Sequence, residues 1–595
     1  MCGIIACRTN GPALDYLLPA LKRLEYRGYD SVGVAVRTGD GDIARLRTTG
    51  RIGALEQQVT QWAGPELDGL GIGHTRWATH GVVDEANTHP HVDCTGRIAL
   101  VHNGIITNAE ELAKELRATG HRFASEVDSE VVAHLVEDNL ALSGNLLTAV
   151  QQTVERLSGS WALAVLEQGT GRLVAAAHRS PLLIARSRGG DFATSDAAAI
   201  SDWVDEFRPL ADGDVVELGD TFTWSRQGQR CSPPPLTRHT WNRTDMSLGR
   251  HTDYMSKEID EQPQVAARLL NQIGGGVADG SLWSGLGLPQ FDRLRVIACG
   301  TSLHAGQVIG NCARGIGGVR LTTTVASESL REPLEPGTLT LAISQSGETA
   351  DVLRALDLHD PGEGPILALT NSAHSTLARR ADAVLPCSAG PEIGVAATKT
   401  FVCQVISGVA LVMSAMVAHK RLEPDIAAQL MRVLNGAPAR LAAATEVAQR
   451  LIPPLVDELT AATGFVFLGR GAGVPYAAEG ALKLKELTYR WAEHHPAGEL
   501  KHGPLAVIES GTPVVVVDHG DPRIAANIAE VRARGGRVIS IGTEGTTIPV
   551  LYPGPAPCGP LESVVPMQVL ARALALALGR DVDKPRNLAK SVTVE

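Results

Sequence analysis

The second residue of the chain is a cysteine, Cys2, preceded only by Met1. We expect Met1 to be removed because the next residue is small, and this would leave a thiol and a free α-amine on one residue. An α-amine has an unperturbed pKa of about 8, close to what a base needs to take a thiol proton at neutral pH. Cys2 is therefore a candidate nucleophile, although a cysteine at position 2, taken alone, is most often an incidental residue.

Two short loops could hold a phosphate group. Residues 299–302 and 344–349 each follow an apolar run that predicts a strand, and each leads into a predicted helix. Backbone amides at such helix starts, together with hydroxyl groups, can bind a phosphate without a basic residue. Helix capping by Ser and Thr would explain one such loop equally well, but two equivalent loops favour a phosphate site. Its predicted contacts are Thr301, Ser302, Ser344, Gln345, Ser346 and Thr349.

Several ionisable side chains in the second half of the chain could move protons. Glu479, Lys483 and Glu486 recur at i, i+4 and i+7 of a predicted amphipathic helix, so they lie on one face. In isolation this triplet is typical of a salt-bridged surface helix. His502 has an unperturbed pKa suited to proton transfer at neutral pH. Lys590 lies among apolar residues, and burial there would lower its pKa and favour a Schiff base, although a lone lysine in a tail is usually solvated.

The elements that position these residues differ between the two halves of the chain. Up to about residue 236 the sequence predicts short strands and turns with two or three helices, for example over residues 109–116 and 130–140. This is a strand-rich α+β unit. Three consecutive prolines within residues 231–236 make the strongest break, because they cannot lie in a helix or a central strand. We place the main boundary there.

Beyond this boundary the sequence repeats a pattern of apolar strand, small-residue turn and helix. Such a pattern predicts a doubly wound parallel sheet. It occurs twice at an offset of about 170 residues, so we expect two copies of one α/β domain. The corresponding segments are 294–302 with 464–471, 338–343 with 512–517, and 365–369 with 537–541.

The composition excludes several classes of protein. The chain has 595 residues, of which 44% are apolar and 20% charged, so it is expected to form three or four globular units. A net charge of −11 provides no basic field for nucleic acid. Nine cysteines without a CxxC pair favour reduced thiols and argue against a structural zinc site. The N-terminus has no signal-peptide pattern, and the apolar run 405–418 is shorter than the roughly 20 residues that span a bilayer, so we expect a cytoplasmic protein without membrane contact.

Five motifs in the first half occur together, at residues 27–31, 73–81, 89–91, 102–105 and 126–128. Together they resemble the glutaminase domain of the class II, N-terminal-nucleophile amidotransferases. The match extends over nearly all of the first 230 residues or so and is highly specific. It implies the α+β fold of that family and makes Cys2 its nucleophile.

The same resemblance implies an oxyanion hole and an amino-acid pocket. The Asn103 side chain and the Gly104 amide would hold the tetrahedral oxyanion, where donors are typically worth about 3 kcal/mol each. Alone, this dipeptide is typical of a tight hairpin turn, and both uses are compatible. Arg76 would bind the α-carboxylate of glutamine and Asp128 its α-ammonium, whereas each alone would more often be a solvated surface charge.

Three further residues take roles by resemblance. Trp77 would gate the passage of ammonia between two sites, although a lone tryptophan is more often part of a core. His80 and His89 would order the glutamine loop. Because neither histidine has a carboxylate or a second cysteine at ligand spacing, we expect no metal site there.

In the second half, the identifying segments are residues 254–259, 392–395, 479–486, 498–504 and 584–595. They resemble the sugar-isomerase (SIS) domains and, over the whole chain, the glutamine:fructose-6-phosphate aminotransferase family. This resemblance implies conversion of L-glutamine and fructose 6-phosphate to L-glutamate and glucosamine 6-phosphate, the first step of hexosamine biosynthesis, without a cofactor.

The resemblance also assigns roles in the second site. Glu486 would move a proton from C1 to C2 of the sugar, and Lys590 would form a Schiff base with the ketose. His502 would open the sugar ring and would come from the neighbouring subunit, which implies a homodimer. Val395 and Lys483 would contact the sugar phosphate.

These inferences divide the chain into five segments. They are a glutaminase domain (2–236), a linker with a helical connection (237–286), a first sugar-isomerase domain (287–430), a second one (455–585) and an active-site tail (586–595).

Several positions near the predicted sugar site depart from the family pattern, so a paralogue that aminates another ketose phosphate stays a possible alternative. The departures are Leu303, His304, Ser329, Leu330, Ala397, His494 and His495.

Two other classes of protein share parts of this pattern. Paired sugar-isomerase domains also occur in sugar-phosphate-binding regulators and ammonia-independent isomerases, but those have no use for a complete glutaminase pocket. A class II amidotransferase with a different acceptor would need an ATP-binding or phosphoribosyl loop, and the sequence contains neither a GxxxxGK[ST] loop nor an acidic phosphoribosyl loop.

Overall fold

The structure is a computed structural model that describes residues 2–77, 81–238, 243–331, 333–359, 362–552, 554 and 556–592. The chain forms two compact units. The first is built from residues up to 246, and the second from residues 247–590.

The first unit contains two antiparallel sheets of eight and seven strands. Their strands are β1 (Gly3–Thr9), β2 (Ser31–Thr38), β3 (Ile43–Thr49), β4 (Leu67–Arg76), β5 (His91–Val92), β6 (Ile98–Ile106), β7 (Gly159–Glu167), β8 (Leu173–His178), β9 (Leu183–Arg186), β10 (Gly190–Thr194), β11 (Glu206–Pro209), β12 (Asp214–Leu218), β13 (Thr223–Arg226), β14 (Gln229–Arg230) and β15 (Thr237–Arg238). The helices are α1 (Leu14–Leu24), α2 (Ile52–Thr60), α3 (Ala109–Ala118), α4 (Ser129–Ser143) and α5 (Leu146–Val154). The strand orders are β15-β11-β9-β10-β1-β4-β2-β3 and β14-β13-β12-β8-β7-β6-β5.

The two sheets pack face to face, and helices cover their outer faces. On β1, Ile4 and Ala6 point into the core between the sheets, while Ile5 and Cys7 point to the core beneath α1 and α2. This alternation follows from the two-residue period of a strand that is buried on both faces. Helices α3, α4 and α5 cover the seven-stranded sheet in a third core. The α+β class predicted for this half is confirmed.

Two sequence predictions for this unit are wrong. The described residues contain five helices rather than two or three; α1 carries Pro19 in its interior, which hides its helical pattern. Asn103 and Gly104 do not form a hairpin turn. They lie within β6 and pair with residues 162 and 161 of β7.

Gly104 is required by the backbone of β6. Its φ is +132°, and a Cβ atom at this position would lie 2.0 Å from Ser160 O. An L side chain fits neither condition. The glycine therefore serves the packing of β6 against β7, not a turn.

The second unit contains two five-stranded parallel sheets. Their strands are β16 (Arg293–Ala298), β17 (Arg320–Val325), β18 (Thr338–Ser344), β19 (Ile366–Thr370), β20 (Ala383–Pro386), β21 (Gly464–Gly469), β22 (Trp491–Pro496), β23 (Pro513–Asp518), β24 (Arg537–Gly542) and β25 (Ile548–Pro549). The helices are α6 (Tyr254–Ile273), α7 (Ser281–Ser284), α8 (Gly300–Gly317), α9 (Ala350–Asp357), α10 (Thr376–Arg380), α11 (Lys399–Ala418), α12 (Pro424–Asn435), α13 (Ala437–Leu451), α14 (Pro453–Leu459), α15 (Val474–Thr488), α16 (Ile524–Arg532) and α17 (Val564–Ala577).

The predicted internal repeat is confirmed. The strand orders are β17-β16-β18-β19-β20 and β22-β21-β23-β24-β25. The repeated segments form β16, β18 and β19 in the first sheet and the equivalent strands β21, β23 and β24 in the second. In both sheets the strand order changes direction next to the strand that comes first in the chain, between β16 and β18 and between β21 and β23. Open parallel sheets bind ligands at such a point.

Helix α11 is 20 residues long and apolar enough, by length and composition, to cross a membrane. However, 89% of its most apolar window is buried inside the fold. It packs against α6 and α8 as the central helix of this core.

Candidate active sites

Cys2 lies directly before β1 and faces the end of β4. The backbone N–H of Trp77 donates to Cys2 Sγ at 3.2 Å, and the thiol donates to Trp77 O at 3.5 Å. Burial raises the pKa of the Cys2 thiol, while the Trp77 amide and the Arg76 guanidinium counteract this rise. The thiol is therefore fixed in place by the Trp77 backbone but protonated, and a base is needed to make it a nucleophile.

Asn103 lies beside Cys2, and its orientation is fixed by His74. Asn103 Nδ2 donates to Cys2 O at 2.9 Å. His74 Nε2 lies 3.0 Å from both Asn103 Oδ1 and His102 O. Because both of these atoms are acceptors, Nε2 must carry the proton and donate to them. His74 lies within the motif at residues 73–81 but was not predicted as a site residue.

A group of stacked histidines surrounds this contact. The His89 ring stacks on His74 with centroids 4.1 Å apart, and His91 meets His89 edge-on at 4.5 Å. Burial lowers the pKa of His74 and of His91 to about 3, and that of His89 well below its ordinary value. The group is therefore neutral at physiological pH. His80, the other predicted histidine, lies outside the described residues.

Arg76 and Asp128 are the two charged residues predicted to bind the α-groups of glutamine. Arg76 ends β4 and is only 3% exposed, so the alternative of a solvated surface charge is wrong. Burial lowers its pKa, and the charges of Cys2, Asp30, Asp84 and Asp128 counteract this. Asp128 Oδ2 accepts the Ile106 N–H at 2.7 Å, which holds its carboxylate beside the end of β6.

Trp77 follows Arg76 directly and is partly buried. Its ring packs edge-on against Tyr29 with centroids 5.4 Å apart. Cys2, Arg76, Trp77 and Asn103 thus lie together in the first unit, as the sequence motifs suggested.

In the second unit, the two predicted phosphate loops lie at neighbouring strand ends. β16 and β18 are adjacent and parallel, so both loops leave the same edge of the sheet. The residues preceding α8 and α9, Cys299 and Thr349, make no side-chain capping hydrogen bond. Plain capping by these residues therefore does not explain the loops.

The second loop, residues 344–349, is fixed in its conformation by hydrogen bonds among its own residues. Ser344 Oγ and Thr349 Oγ1 lie 2.8 Å apart, and the Gly347 N–H donates to Ser344 Oγ at 2.9 Å. The Glu348 N–H donates to Ser346 Oγ at 3.1 Å. Gln345 O accepts the N–H of residue 371, which joins the loop to the end of β19. These contacts concentrate amides and hydroxyls at the strand ends, the donor set that suits a phosphate.

The first loop connects to helix α15 through a buried carboxylate. Thr301 Oγ1 donates to Glu479 Oε1 at 3.0 Å. Lys483 Nζ lies 3.5 Å from Glu479 Oε1 and 2.6 Å from Glu486 Oε2. The side chains of Glu479 and Lys483 are 0% and 1% exposed, so the alternative of a surface helix is wrong. Ser302 Oγ accepts from residue 404 at 3.0 Å.

Glu486 differs from its neighbours in exposure. Its side chain is 20% exposed, whereas that of Lys483 is 1% exposed. Burial raises the pKa of Glu486, and the charges of Lys483 and Lys590 partly offset the rise. A partly exposed carboxylate with a raised pKa is suited to accept and return a proton.

Lys590 is buried as an ion pair, which excludes a solvated tail lysine. Its Nζ donates to Glu392 Oε2 at 2.5 Å and to Gly394 O at 2.8 Å. Burial alone would raise the pKa of Glu392, but Lys590 and the amides of Thr398 and Thr400 hold it at about 2. Glu392 lies in a segment that carried the family resemblance, yet it was not predicted as a site residue. The signal that could have found it is chemical, since a buried lysine needs a counter-charge.

A second acid, Glu258 of α6, lies next to this ion pair. Its Oε1 accepts the N–H groups of Ile393 and Gly394 at 2.5 and 3.1 Å. Burial and the charge of Glu392 raise the pKa of Glu258 to about 8. It is therefore mostly protonated at neutral pH and adds little negative charge to the Lys590 site.

Val395 and His502, the other predicted sugar-site residues, lie outside the Lys483 and Lys590 ion pairs. The Val395 N–H donates to the backbone of residue 583 at 3.0 Å, so this amide anchors the segment before the tail. His502 ends the 3₁₀ segment Ala497–His502 and is exposed.

Two of the positions that depart from the family pattern lie close together, since the His304 ring is 6.4 Å from that of His494. His304 Nδ1 also lies 2.8 Å from Glu479 Oε2.

Comparison with protein families divides the chain in the same way. Residues 74–202 match the glutamine amidotransferase domain, and residues 288–414 and 458–548 match the SIS domain. The sequence is also similar over its full length to curated proteins named glutamine–fructose-6-phosphate aminotransferase (isomerizing). Those from Thermus thermophilus and Halobacterium salinarum are 41% and 42% identical, with 100% of both chains covered. That from Pseudomonas putida is 39% identical, again over 100% of both chains.

A solved structure supports the architecture of the second unit. The C-terminal domain of glucosamine-fructose-6-phosphate aminotransferase from Francisella tularensis is 30% identical, with a TM-score of 0.52. The match covers 57% of this chain and 99% of that one.

The fold and the sites define a glutamine amidotransferase whose N-terminal domain is joined to two sugar-isomerase domains. Within this class, the chain belongs to the glutamine–fructose-6-phosphate aminotransferase (isomerizing) family.

Proposed function

We propose that this chain converts L-glutamine and D-fructose 6-phosphate to L-glutamate and D-glucosamine 6-phosphate. The observation that carries the proposal is that the chain matches its relatives over its entire length. The contacts of Cys2 in the first unit and of Lys590 in the second support two half-sites on one chain. A glutaminase alone would not need the buried Lys590, and an isomerase alone would not need Cys2 beside Asn103.

In the first half-reaction, the free α-amine of Cys2 takes the thiol proton after removal of Met1. The thiolate attacks the side-chain carbonyl of glutamine, and the oxyanion is stabilised by Asn103 Nδ2 and the Gly104 N–H. Return of the proton releases ammonia and leaves a thioester, which water hydrolyses to glutamate. The contact between Asn103 Nδ2 and the Cys2 backbone supports this placement of the amide donor.

Glutamine is held by its charged α-groups. The Arg76 guanidinium binds the α-carboxylate, and Asp128 binds the α-ammonium. His80 and His89 order the surrounding loop, and Trp77 controls the passage of ammonia. The burial of Arg76 supports this role, because a guanidinium shielded from water can bind a planar carboxylate through two parallel hydrogen bonds.

In the second half-reaction, the phosphate of the sugar binds to the loops that carry Ser302, Ser344 and Thr349. His502 opens the ring, and Lys590 Nζ forms an imine at C2 with loss of water. Ammonia then displaces the lysine, and Glu486 moves a proton from C1 to C2 to give the 2-amino aldose. The exposure and raised pKa of Glu486 support its role as the shuttle.

The proposal includes a cytoplasmic homodimer that binds neither nucleic acid nor membrane. His502 is exposed on its own chain, which suits a residue that completes the site of a partner subunit. The net charge of −11 supports the absence of nucleic-acid binding.

The transfer can be followed with glutamine labelled with ¹⁵N at the side-chain amide. We expect the purified chain to release glutamate and ¹⁵N-labelled hexosamine phosphate in equal amounts from fructose 6-phosphate, measured by mass spectrometry. Glutamate without labelled amino sugar would contradict the proposed acceptor. The alternative of another ketose phosphate would then be tested directly with tagatose 6-phosphate and sorbose 6-phosphate.

Cys2→Ala separates the two half-reactions. We expect it to reduce glutamine-dependent synthesis by at least about 10⁴-fold, because the nucleophile is lost, while isomerisation of fructose 6-phosphate continues. Cys231→Ala is the matched control, since Cys231 is a partly buried cysteine outside the site. Synthesis from glutamine by the Cys2→Ala variant would overturn the assignment of the nucleophile.

A further inference from the structure

Four potential metal ligands converge in the first unit, away from the Cys2 contact. They are Cys94, His121, His134 and Glu137, and each contributes one ligand atom within 4.8 Å of the other three. Cys94 lies in the turn between β5 and β6, His121 follows α3, and the other two lie on one face of α4. Three separate elements therefore meet at one point.

The distances between these atoms fit a tetrahedral ion. Cys94 Sγ lies 3.6 Å from Nδ1 of His121 and 3.6 Å from Nδ1 of His134. Glu137 Oε2 lies 3.1 Å from His121 Nδ1 and 3.2 Å from His134 Nδ1. Ideal zinc bond lengths place tetrahedral sulfur and nitrogen ligands about 3.5 Å apart, and nitrogen and oxygen ligands about 3.3 Å apart.

The outer nitrogens of both rings face carboxylates. His121 Nε2 lies 3.0 Å from Asp138 Oδ1, and His134 Nε2 lies 3.7 Å from Glu130 Oε1. A neutral imidazole has one donor and one acceptor nitrogen, so without an ion each ring would have to be protonated to donate on both sides. An ion at the Nδ1 side lets each neutral ring keep its proton on Nε2, towards the carboxylate, as in metal-bound histidines.

The sulfur is also placed like a metal ligand. The Arg122 N–H points at Cys94 Sγ from 3.4 Å, and the Cys94 N–H donates to Glu137 Oε2 at 3.1 Å. Amide donors to the sulfur and the carboxylate stabilise the charged forms that bind a cation. Cys94 is exposed, which gives the ion a path to the site.

We propose that Cys94, His121, His134 and Glu137 bind one Zn²⁺ ion as a structural site. One thiolate, two imidazoles and one carboxylate in tetrahedral arrangement are borderline-soft ligands that suit zinc rather than magnesium or calcium. All four positions are filled by protein, which is the arrangement of a structural rather than a catalytic ion. The lack of a CxxC pair argues against structural zinc in the sequence, and the four ligands, spread over 43 positions, form no local ligand motif.

The ion would fix the segment between α3 and α4. His121 lies near the start of this segment, and Asp128, the predicted partner of the glutamine ammonium, ends it. Glu130 accepts the N–H groups of Ala124 and Ser125 at 2.8 and 2.7 Å, so the segment is tied to α4 at its centre as well. Zinc would therefore stabilise the glutaminase unit and hold one wall of its pocket, whichever sugar the second unit uses.

The test uses the full-length protein, reduced and purified without chelator. We expect elemental analysis to give about one zinc per chain, and Co²⁺ added after chelation to give tetrahedral visible bands with a thiolate charge-transfer band. Cys94→Ser should abolish the charge-transfer band, and His121→Asn should weaken zinc binding by about 10-fold or more. Chelation of the wild type should lower the first thermal unfolding midpoint by a few degrees.

Two cysteine variants serve as controls. Cys231→Ser and Cys2→Ala should keep both the charge-transfer band and the zinc content, because neither residue belongs to the cluster. The proposal is overturned if the wild type binds no stoichiometric zinc or cobalt. It is also overturned if Cys94→Ser, folded by circular dichroism, keeps the charge-transfer band.

Discussion

His74 is a buried histidine whose role follows from the two acceptors that it faces. Its Nε2–H is shared between Asn103 Oδ1 and His102 O. This fixes which end of the Asn103 amide points at Cys2, since the oxygen is held by His74 and the nitrogen is left to donate. His74 is thus a positioning residue, and the proposed oxyanion donor depends on it.

We predict that His74→Ala lowers kcat for glutamine hydrolysis by about 10- to 100-fold, with a smaller effect on KM, because a misdirected donor acts mainly on the transition state. His74→Gln keeps an N–H donor and should recover part of the loss. Since the wild-type pKa of His74 is about 3, the ratio of wild-type to variant rates should not change from about pH 6 to 9. Wild-type kcat in His74→Ala would contradict the role, and a ratio that titrates near neutrality would contradict the neutral ring.

At the same scale, some residues of the candidate sites could be predicted from the sequence and others could not, for a physical reason. Arg76 and Asn103 could be predicted because they belong to motifs that occur together in the chain, and Cys2 because it follows Met1 in their company. His74 and Glu392 were missed, because their partners are Asn103 and Lys590, which lie 29 and 198 positions away. A role defined by one long-range hydrogen bond leaves no local pattern.

Strand β6 shows how an element overrides local preference. Asn103-Gly104 favours a two-residue turn, but nine consecutive residue pairs join β6 to β7 and keep the dipeptide inside a strand. The glycine remains necessary, because the strand passes Ser160 too closely for a side chain. The parallel sheets were easier to predict, since each buried strand is a continuous apolar run between turn residues and the pattern occurs twice.

We predict that Gly104→Ala destabilises the first unit by about 2–4 kcal/mol, because it combines a positive φ with a Cβ clash. The matched control is Gly144→Ala at the end of α4. Its φ is +65°, but no atom lies within 4 Å of the added Cβ, so about 1 kcal/mol is expected. Differential scanning calorimetry of both variants measures the difference, and glutaminase activity should fall only in Gly104→Ala. Equal costs in the two variants would show that the close approach to Ser160 is unimportant.

At the scale of the whole molecule, the second unit contains every residue of the proposed sugar site. Lys590, Glu392, Lys483 and Glu486 are linked through short contacts or shared charge. His502 differs from these linked residues, because it is exposed on the surface of the chain. An exposed residue in a proposed catalytic role requires that something cover it, and a second copy of the chain is the simplest partner.

This arrangement predicts complementation between two inactive variants. Lys590→Ala and His502→Ala should each abolish synthesis while glutamine hydrolysis continues. If each sugar site takes Lys590 from one subunit and His502 from the other, a mixed dimer contains one intact site and one doubly altered site. Random exchange of equal amounts makes about half of the dimers mixed, so about one quarter of wild-type synthesis should return. Exchange is verified with differently tagged chains, and the Lys590→Ala variant mixed with itself is the control. No recovery after verified exchange would mean that His502 acts within its own chain or not at all.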